Sequence, residues 1–141
     1  MQDLIRFREA QKKQIWEIKR HYLYKNKLIL YSIHEGIDLA KIKRAKIFAS
    51  NYGKVVAEKW IGIYGNTLII YHKLGLYSLY AHTSEFDVPG TGNTGGAIGD
   101  HLHFGVYIQG IAVNPYEWMD SNWIRVNIIN IINSSKRLIG K

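Results

Sequence analysis

The chain has no cysteine. Disulfide staples and thiolate metal sites are therefore excluded, and any bound metal must be held by histidine and carboxylate. No apolar run is long enough to span a bilayer, and Met1 to Arg20 alternates charged with apolar residues where a secretory leader would carry an uninterrupted apolar core. Neither a transmembrane segment nor an export signal is therefore expected. Acidic residues are few: 11 Asp and Glu stand against 19 Lys and Arg, a formal charge of +8. That balance suits polyanionic surroundings such as nucleic acid, acidic lipid or an anionic cell wall. A nucleic-acid module would interleave its basic residues with stacking aromatics or rank them along a recognition helix. Here they are dispersed, with modest concentrations from Arg6 to Lys27 and from Lys41 to Lys46. A solvated basic face is the expectation, and nucleic acid is not an expected partner.

What is present is enough for one folded domain: 141 residues, 47% of them apolar, can bury a core. From Asp3 to Tyr22 the apolar residues Leu4, Phe7, Ile15, Ile18 and Tyr22 recur at roughly helical spacing, which predicts a short amphipathic helix. After Tyr24 the text changes to short β-branched and aromatic runs separated by Gly and Asn, the pattern of a mainly β body with tight turns. Strands are expected at 47–50, 54–58, 67–72, 77–82 and 101–108. Pro89 to Gly99, with five glycines, is expected to be a loop bordering the active site. Beyond Pro115 an apolar tail with terminal Lys136, Arg137 and Lys141 is expected to pack on the domain or on a partner chain; a membrane-surface role requires a cleaner amphipathic pattern. The division predicted is a basic helix at 1–24, the main domain at 25–120 and an apolar and basic tail at 121–141.

The histidines carry the chemistry. Side chains alternate between faces along a strand, so in His101-Leu102-His103-Phe104-Gly105-Val106 both imidazoles fall opposite the apolar Leu102, Phe104 and Val106. Residues two apart stand roughly 7 Å apart at the backbone, and two such rings can converge, one as a ligand and the other as acid or base. In Ile33-His34-Glu35-Gly36-Ile37-Asp38-Leu39 the same parity sets His34, Gly36 and Asp38 on one face. Gly36 leaves room for a metal between its neighbours and would cost a helix about 1 kcal/mol. His82 ends Tyr77-Ser78-Leu79-Tyr80-Ala81, on the face opposite Leu79 and Ala81. His21 and His72 read as surface or structural residues, and Tyr64 and Tyr80 as packing residues that could also line a groove.

In this order, His34-x-x-x-Asp38, Tyr80-Ala81-His82 and His101-x-His103 resemble the three motifs of lysostaphin/LytM-type zinc metallopeptidases. The likeness extends through Gly53-Lys54-Val55-Val56, Tyr64-Gly65-Asn66-Thr67 and Thr91-Gly92-Asn93-Thr94-Gly95 and covers most of Arg20 to Pro115. The Glu117-Trp118-Met119-Asp120 stretch and Trp123 are similar to members that set cell shape. The resemblance implies an antiparallel β-sheet domain of LytM-like, duplicated hybrid-motif type, in the periplasm or cell envelope. It implies one zinc ion held by His34, Asp38 and His103, with His82 and His101 catalytic. It implies an endopeptidase that hydrolyses peptide cross-links between peptidoglycan stem peptides. Two imidazoles and one carboxylate leave a fourth tetrahedral position open for water. No Glu accompanies the motif as in H-E-x-x-H enzymes, so His82 and His101 are left to serve as base and as stabiliser of the oxyanion, in either assignment.

Two features depart from the family pattern. Thr83 to Val88 runs almost directly into Pro89-Gly90, where members carry a further strand, and its absence predicts an exposed sheet edge and a loosened wall around His82 and His101. The usual Phe-Gly-x-Arg turn before the first motif is absent. A catalytically impaired LytM-like binding or activator module for a cell-wall hydrolase is thus the alternative, and a LytM-like chain is a candidate partner. An iron oxygenase could use the same ligands but leaves His82 and His101 without work.

Overall fold

The computed structural model describes residues 11–14, 16, 19–40, 44–86 and 90–140. Nine strands are present among them: β1 (Gln11–Gln14), β2 (Lys19–Tyr24), β3 (Lys27–Ile33), β4 (Ile37–Ala40), β5 (Lys54–Ile61), β6 (Gly65–Tyr71), β7 (Leu76–Ala81), β8 (Leu102–Ile108) and β9 (Ile111–Val113). Seven form one antiparallel sheet in the order β1-β4-β8-β7-β6-β5, with β9 also paired to β8, while β2 and β3 make a separate ribbon. Local chemistry accounts for the tight connections. Lys25 and Asn26, at φ 46° and 61°, turn β2 into β3, and Gln109 and Gly110, at 50° and 83°, turn β8 into β9; consecutive positive φ values match the twist of a two-residue hairpin.

The helix expected from Asp3 to Tyr22 is not what the chain forms where it is described. Gln11–Gln14 is a strand paired with β4, and Lys19–Tyr24 is half of a hairpin; residues 1–10 lie outside the described residues. Helical spacing of a few apolar residues is a weak preference. Here it yields to two stronger demands, the hydrogen-bonding edge of β4 and the two-residue turn at Lys25-Asn26.

The core lies on one face of the sheet, where Ile37 and Leu39 of β4, Tyr80 of β7 and Leu102, Phe104 and Val106 of β8 pack together with Ile47. Trp16, Leu68, Trp118 and Met119 close over them. Register places Asp38 directly opposite His103 and, on the other side of β8, Ala81 opposite His103. The alternation that buries Leu102 and Phe104 therefore aims Asp38 and His103 at the opposite face, side by side. Past β9 the chain forms α1 (Pro115–Trp118), then α2 (Ser121–Ile124), a π-helical segment (Arg125–Ile129) and α3 (Asn130–Ile139) in continuous succession. No described helix is long and apolar enough to cross a membrane.

Candidate metal centre and active site

His34 Nε2 lies 3.1 Å from Asp38 Oδ1 and 2.9 Å from His103 Nδ1, and His103 Nδ1 lies 3.0 Å from the same carboxylate oxygen. All three residues are buried, at 2 to 3% exposure. The segment from Ile33 to Leu39 is not the single strand that parity suggested. β3 ends at Ile33, β4 begins at Ile37, and His34 reaches Asp38 from the bend between them.

Burial by itself would push the Asp38 carboxyl up. Hydrogen bonds donated by His103 and His34, with the positive character of both rings, outweigh it and hold the group well below the usual carboxylate range. Asp38 is therefore an anion at every physiological pH. The donor set fits a divalent ion of the zinc kind: two imidazole nitrogens and one carboxylate oxygen in a tight, water-shielded triangle. Protons serve these atoms only pair by pair, whereas one cation serves all three at once. Gly36 makes the triangle sterically possible, because a Cβ there would stand 2.6 Å from Cε1 and 2.7 Å from Nε2 of the His103 ring.

Two more imidazoles flank the triangle. The His101 ring stacks obliquely on His82 with centroids 4.8 Å apart, and its Nε2 lies 3.8 Å from Asp38 Oδ1. His82 is 6.0 Å from His103, centroid to centroid. Each ring is tied through Nδ1 to a main-chain oxygen, His82 to Thr94 O and His101 to Gly99 O, both at 2.8 Å. A carbonyl only accepts, so each Nδ1 carries the hydrogen and donates it, and each Nε2 is the atom left for proton traffic. Burial pushes His82 down to about 4, against a smaller upward pull from its bond to Thr94, so the ring is neutral near pH 7.

His82 arrives by a route that pleat parity did not foresee. Ala81 shares its face with His103, and Tyr80 shares the core face with Phe104, so continued alternation would drive His82 into the core. Instead β7 stops at Ala81 and His82 takes φ 59°, a left-handed conformation uncommon outside glycine. Its N–H donates to Tyr64 O at 2.8 Å. That turn swings the ring to the side of Asp38.

The glycine-rich loop does border this site. Thr94 and Gly99 supply the two anchoring carbonyls, and Gly96 lines the cleft with Ser32, Glu35, Ile63 and Tyr64. The short link after His82 is closed by isolated bridges joining Thr83 to Thr91, Lys46 to Gly90 and Gly92 to His101. The wall that was expected to be loose is thereby pinned. Sequence reading missed Thr94 and Gly99, which act through backbone atoms and leave no side-chain signal. Tyr64 stands in the cleft with its ring 5.2 Å from His103. Tyr80 is a packing residue, its hydroxyl donating to Ser50 Oγ. His72 bridges Tyr52 O and Ser78 Oγ, and His21 lies exposed on β2.

A buried two-imidazole, one-carboxylate triangle on an antiparallel sheet, with paired imidazoles beside it, defines the lysostaphin/LytM class. Residues 32–115 match the model of peptidase family M23, and the chain belongs to that family. It is 36% identical over 96 residues to the DD-carboxypeptidase/endopeptidase Mpg of Neisseria meningitidis, covering 60% of this chain and 22% of that protein. It is 33% identical over 107 residues to stage II sporulation protein Q of Bacillus subtilis, covering 64% and 38%. The chain thus spans about a fifth of the length of the first relative and well under half of the second. The fold is shared with the catalytic domain of the antimicrobial peptidase lysostaphin from Staphylococcus simulans, at a TM-score of 0.67 and 20% identity over 84% of this chain and 98% of that one. The SpoIIQ–SpoIIIAH pore-forming complex contains a chain of the same fold, at TM-score 0.67, 24% identity and coverage of 79% and 84%.

Proposed function

We propose that this chain is a zinc-dependent endopeptidase that hydrolyses peptide cross-links of bacterial peptidoglycan in the cell envelope. His34, Asp38 and His103 are the metal ligands, and His82 and His101 the catalytic imidazoles. The observation that carries the reading is the division of labour among five convergent side chains. Three present ligand atoms within about 3 Å of one another, and two keep Nε2 available because Nδ1 is committed to a carbonyl.

A zinc ion held by the triangle supplies an acidified water and an electrophile for the scissile carbonyl. The protein's own groups handle protons and charge. One Nε2 of the His82–His101 pair accepts the proton of the attacking water and, as imidazolium, delivers it to the leaving amine. The other ring donates to the carbonyl oxygen as negative charge develops only when it carries a second proton on its own Nε2. Asp38, ionised throughout, keeps both ligand rings oriented. Glu35, Ile63 and Tyr64 form the cleft walls against which a peptide would lie, and the net charge of +8 suits an anionic wall.

The test is direct. The full chain with stoichiometric zinc, incubated with cross-linked peptidoglycan, should release monomeric muropeptides detectable by chromatography. Intact cross-links after prolonged incubation of metal-loaded protein would overturn the reading.

A second reading, a LytM-like module that binds or activates another cell-wall protein, is favoured by the similarity to stage II sporulation protein Q, whose fold occurs in a complex with SpoIIIAH. Activation of a partner hydrolase that survives His103→Ala would support it. Stoichiometric iron with cosubstrate-dependent turnover would favour an oxygenase instead.

A further inference from the structure

The apolar C-terminal tail was expected to pack on the domain or on a partner chain, and among the described residues its stretch up to Ile129 meets the domain while α3 does not. Ile124 is buried, at 7% exposure, and Trp123 meets Trp118 with ring centroids 5.8 Å apart. Asp120 caps the helix by accepting from the N–H groups of Asn122 and Trp123. Ile128 is half-buried and Ile129 lines a cavity with Phe104 and Val106; beyond them the apolar side chains turn outward, Ile131, Ile132, Leu138 and Ile139 being 59, 40, 77 and 84% exposed. The π-helical segment at Arg125–Ile129 explains the change of face. A wider turn resets the angular register, so the apolar stripe of α3 does not continue the side that Ile124 buries.

On α3 the stripe is clean. At 100° per residue, Ile131, Ile132, Ser135, Leu138 and Ile139 fall within an arc of about 120°. Asn130, Asn133, Ser134 and Arg137 occupy the rest, and Lys136 stands at the border, where a long cationic side chain can reach past the apolar face. The charge is one-sided as well. From Ser121 to Lys141 there is no Asp or Glu, and Arg125, Lys136, Arg137 and Lys141 are all cationic.

We infer that α3 is an interfacial anchor that lies on an anionic lipid bilayer, its isoleucine and leucine stripe in the acyl boundary and its cations among the headgroups. Charge complementarity selects this occupant. A second copy would bring four cations against four with no carboxylate in either segment to offset them. A protein groove rewards aromatic or arginine anchors at its centre, whereas this stripe is aliphatic with a serine in its midst, a composition a fluid surface accepts without shape matching. This inference stands independently of the peptidase reading, since it needs neither metal nor turnover.

The test is co-sedimentation of the full chain with unilamellar vesicles of phosphatidylglycerol and phosphatidylcholine, and with phosphatidylcholine alone. The chain should pellet with the anionic vesicles and remain largely in solution with the neutral ones. Ile131→Ser/Leu138→Ser, at unchanged charge, should weaken binding at least about tenfold. Lys136→Gln and Arg137→Gln should each weaken it about fivefold, and Lys54→Gln/Lys59→Gln on exposed β5 should change it less than about twofold. All these positions are exposed apart from the sheet core, and circular dichroism checks that the fold is retained. The inference is overturned if the Ile131→Ser/Leu138→Ser protein binds like the parent, which would mean attraction by net charge alone. It is equally overturned if the β5 variant loses as much binding as the helix variants, or if the chain ignores anionic vesicles while the stripe mediates a dimer or captures an acidic protein.

Discussion

At the scale of single residues, Asp38 and the two ring nitrogens beside it form an electrostatic unit. Removing its charge while keeping its shape, as in Asp38→Asn, should weaken zinc binding by at least about 100-fold, read by metal analysis after dialysis and by calorimetric titration. His82→Ala and His101→Ala should behave differently: zinc remains stoichiometric while peptidoglycan turnover falls by about 10² to 10⁴. If either variant lost its zinc outright, that residue would be a ligand and the division of roles would be wrong. The position of His82 also has a consequence for pH. Its folded value is depressed to about 4 from 6.5, so between those limits the unfolded chain binds a proton that the folded chain refuses. In the presence of a chelator, stability should therefore decline as pH falls from 6.5 towards 4, by at most about 3 kcal/mol. Asp38, depressed in the fold, adds its own loss below about 4 as the unfolded carboxyl protonates. Thermal melts across this range check the prediction, and His82→Gln should flatten the upper part of the slope.

At the scale of elements, the site depends on loop-to-turn contacts more than on side chains. Gly65 and Gly95 meet back to back, both with positive φ, 63° and 69°. A Cβ on either would collide with the backbone of the other's loop. That close approach lays the Thr94 carbonyl against His82 and sets Tyr64 at the cleft. Gly95→Ala should destabilise the fold by about 1 to 3 kcal/mol and should lower turnover more than zinc affinity, since the metal triangle is built on β4, β8 and the bend before β4. Equal loss of zinc and turnover in that variant would show that the loop supports the triangle too. The hairpin of β2 and β3 makes a related point. A two-residue turn and an open strand edge overrode a helical spacing that spanned too few apolar residues to prevail.

At the scale of the whole molecule, the proposed zinc site would tie together residues 34 to 103, and so most of the sheet. A ligand that binds only the folded state stabilises it by mass action. Zinc at about 100 times its dissociation constant should add about 2.7 kcal/mol, seen as a rise in melting temperature that a chelator reverses and that Asp38→Asn abolishes. No rise with bound zinc would mean that the ion contacts only one segment. The exposed C-terminal stripe should contribute little to that melt, since α3 buries no side chain against the sheet.

Much of this was written in the order of residues. Period-two alternation sets Leu102, Phe104 and Val106 against His103, and the same arithmetic aims Asp38 on β4; parity along a strand is local, so a sequence can specify it. The β-branched and aromatic runs after Tyr24 sufficed for a mainly β fold, and the resemblance of the His34-x-x-x-Asp38, Tyr80-Ala81-His82 and His101-x-His103 motifs pointed to the family. What parity could not supply was everything that happens where strands end. His34 comes from a bend and His82 from a left-handed residue that breaks the alternation its strand had followed, while the anchors of His82 at Tyr64 and Thr94 and of His101 at Gly99 are main-chain carbonyls with no residue-type signature. The direction of the C-terminal stripe likewise depends on a π-helical turn. Each of these is decided by long-range contacts, because a chain's direction beyond a regular element is set by whatever its backbone groups find to bond with across the fold.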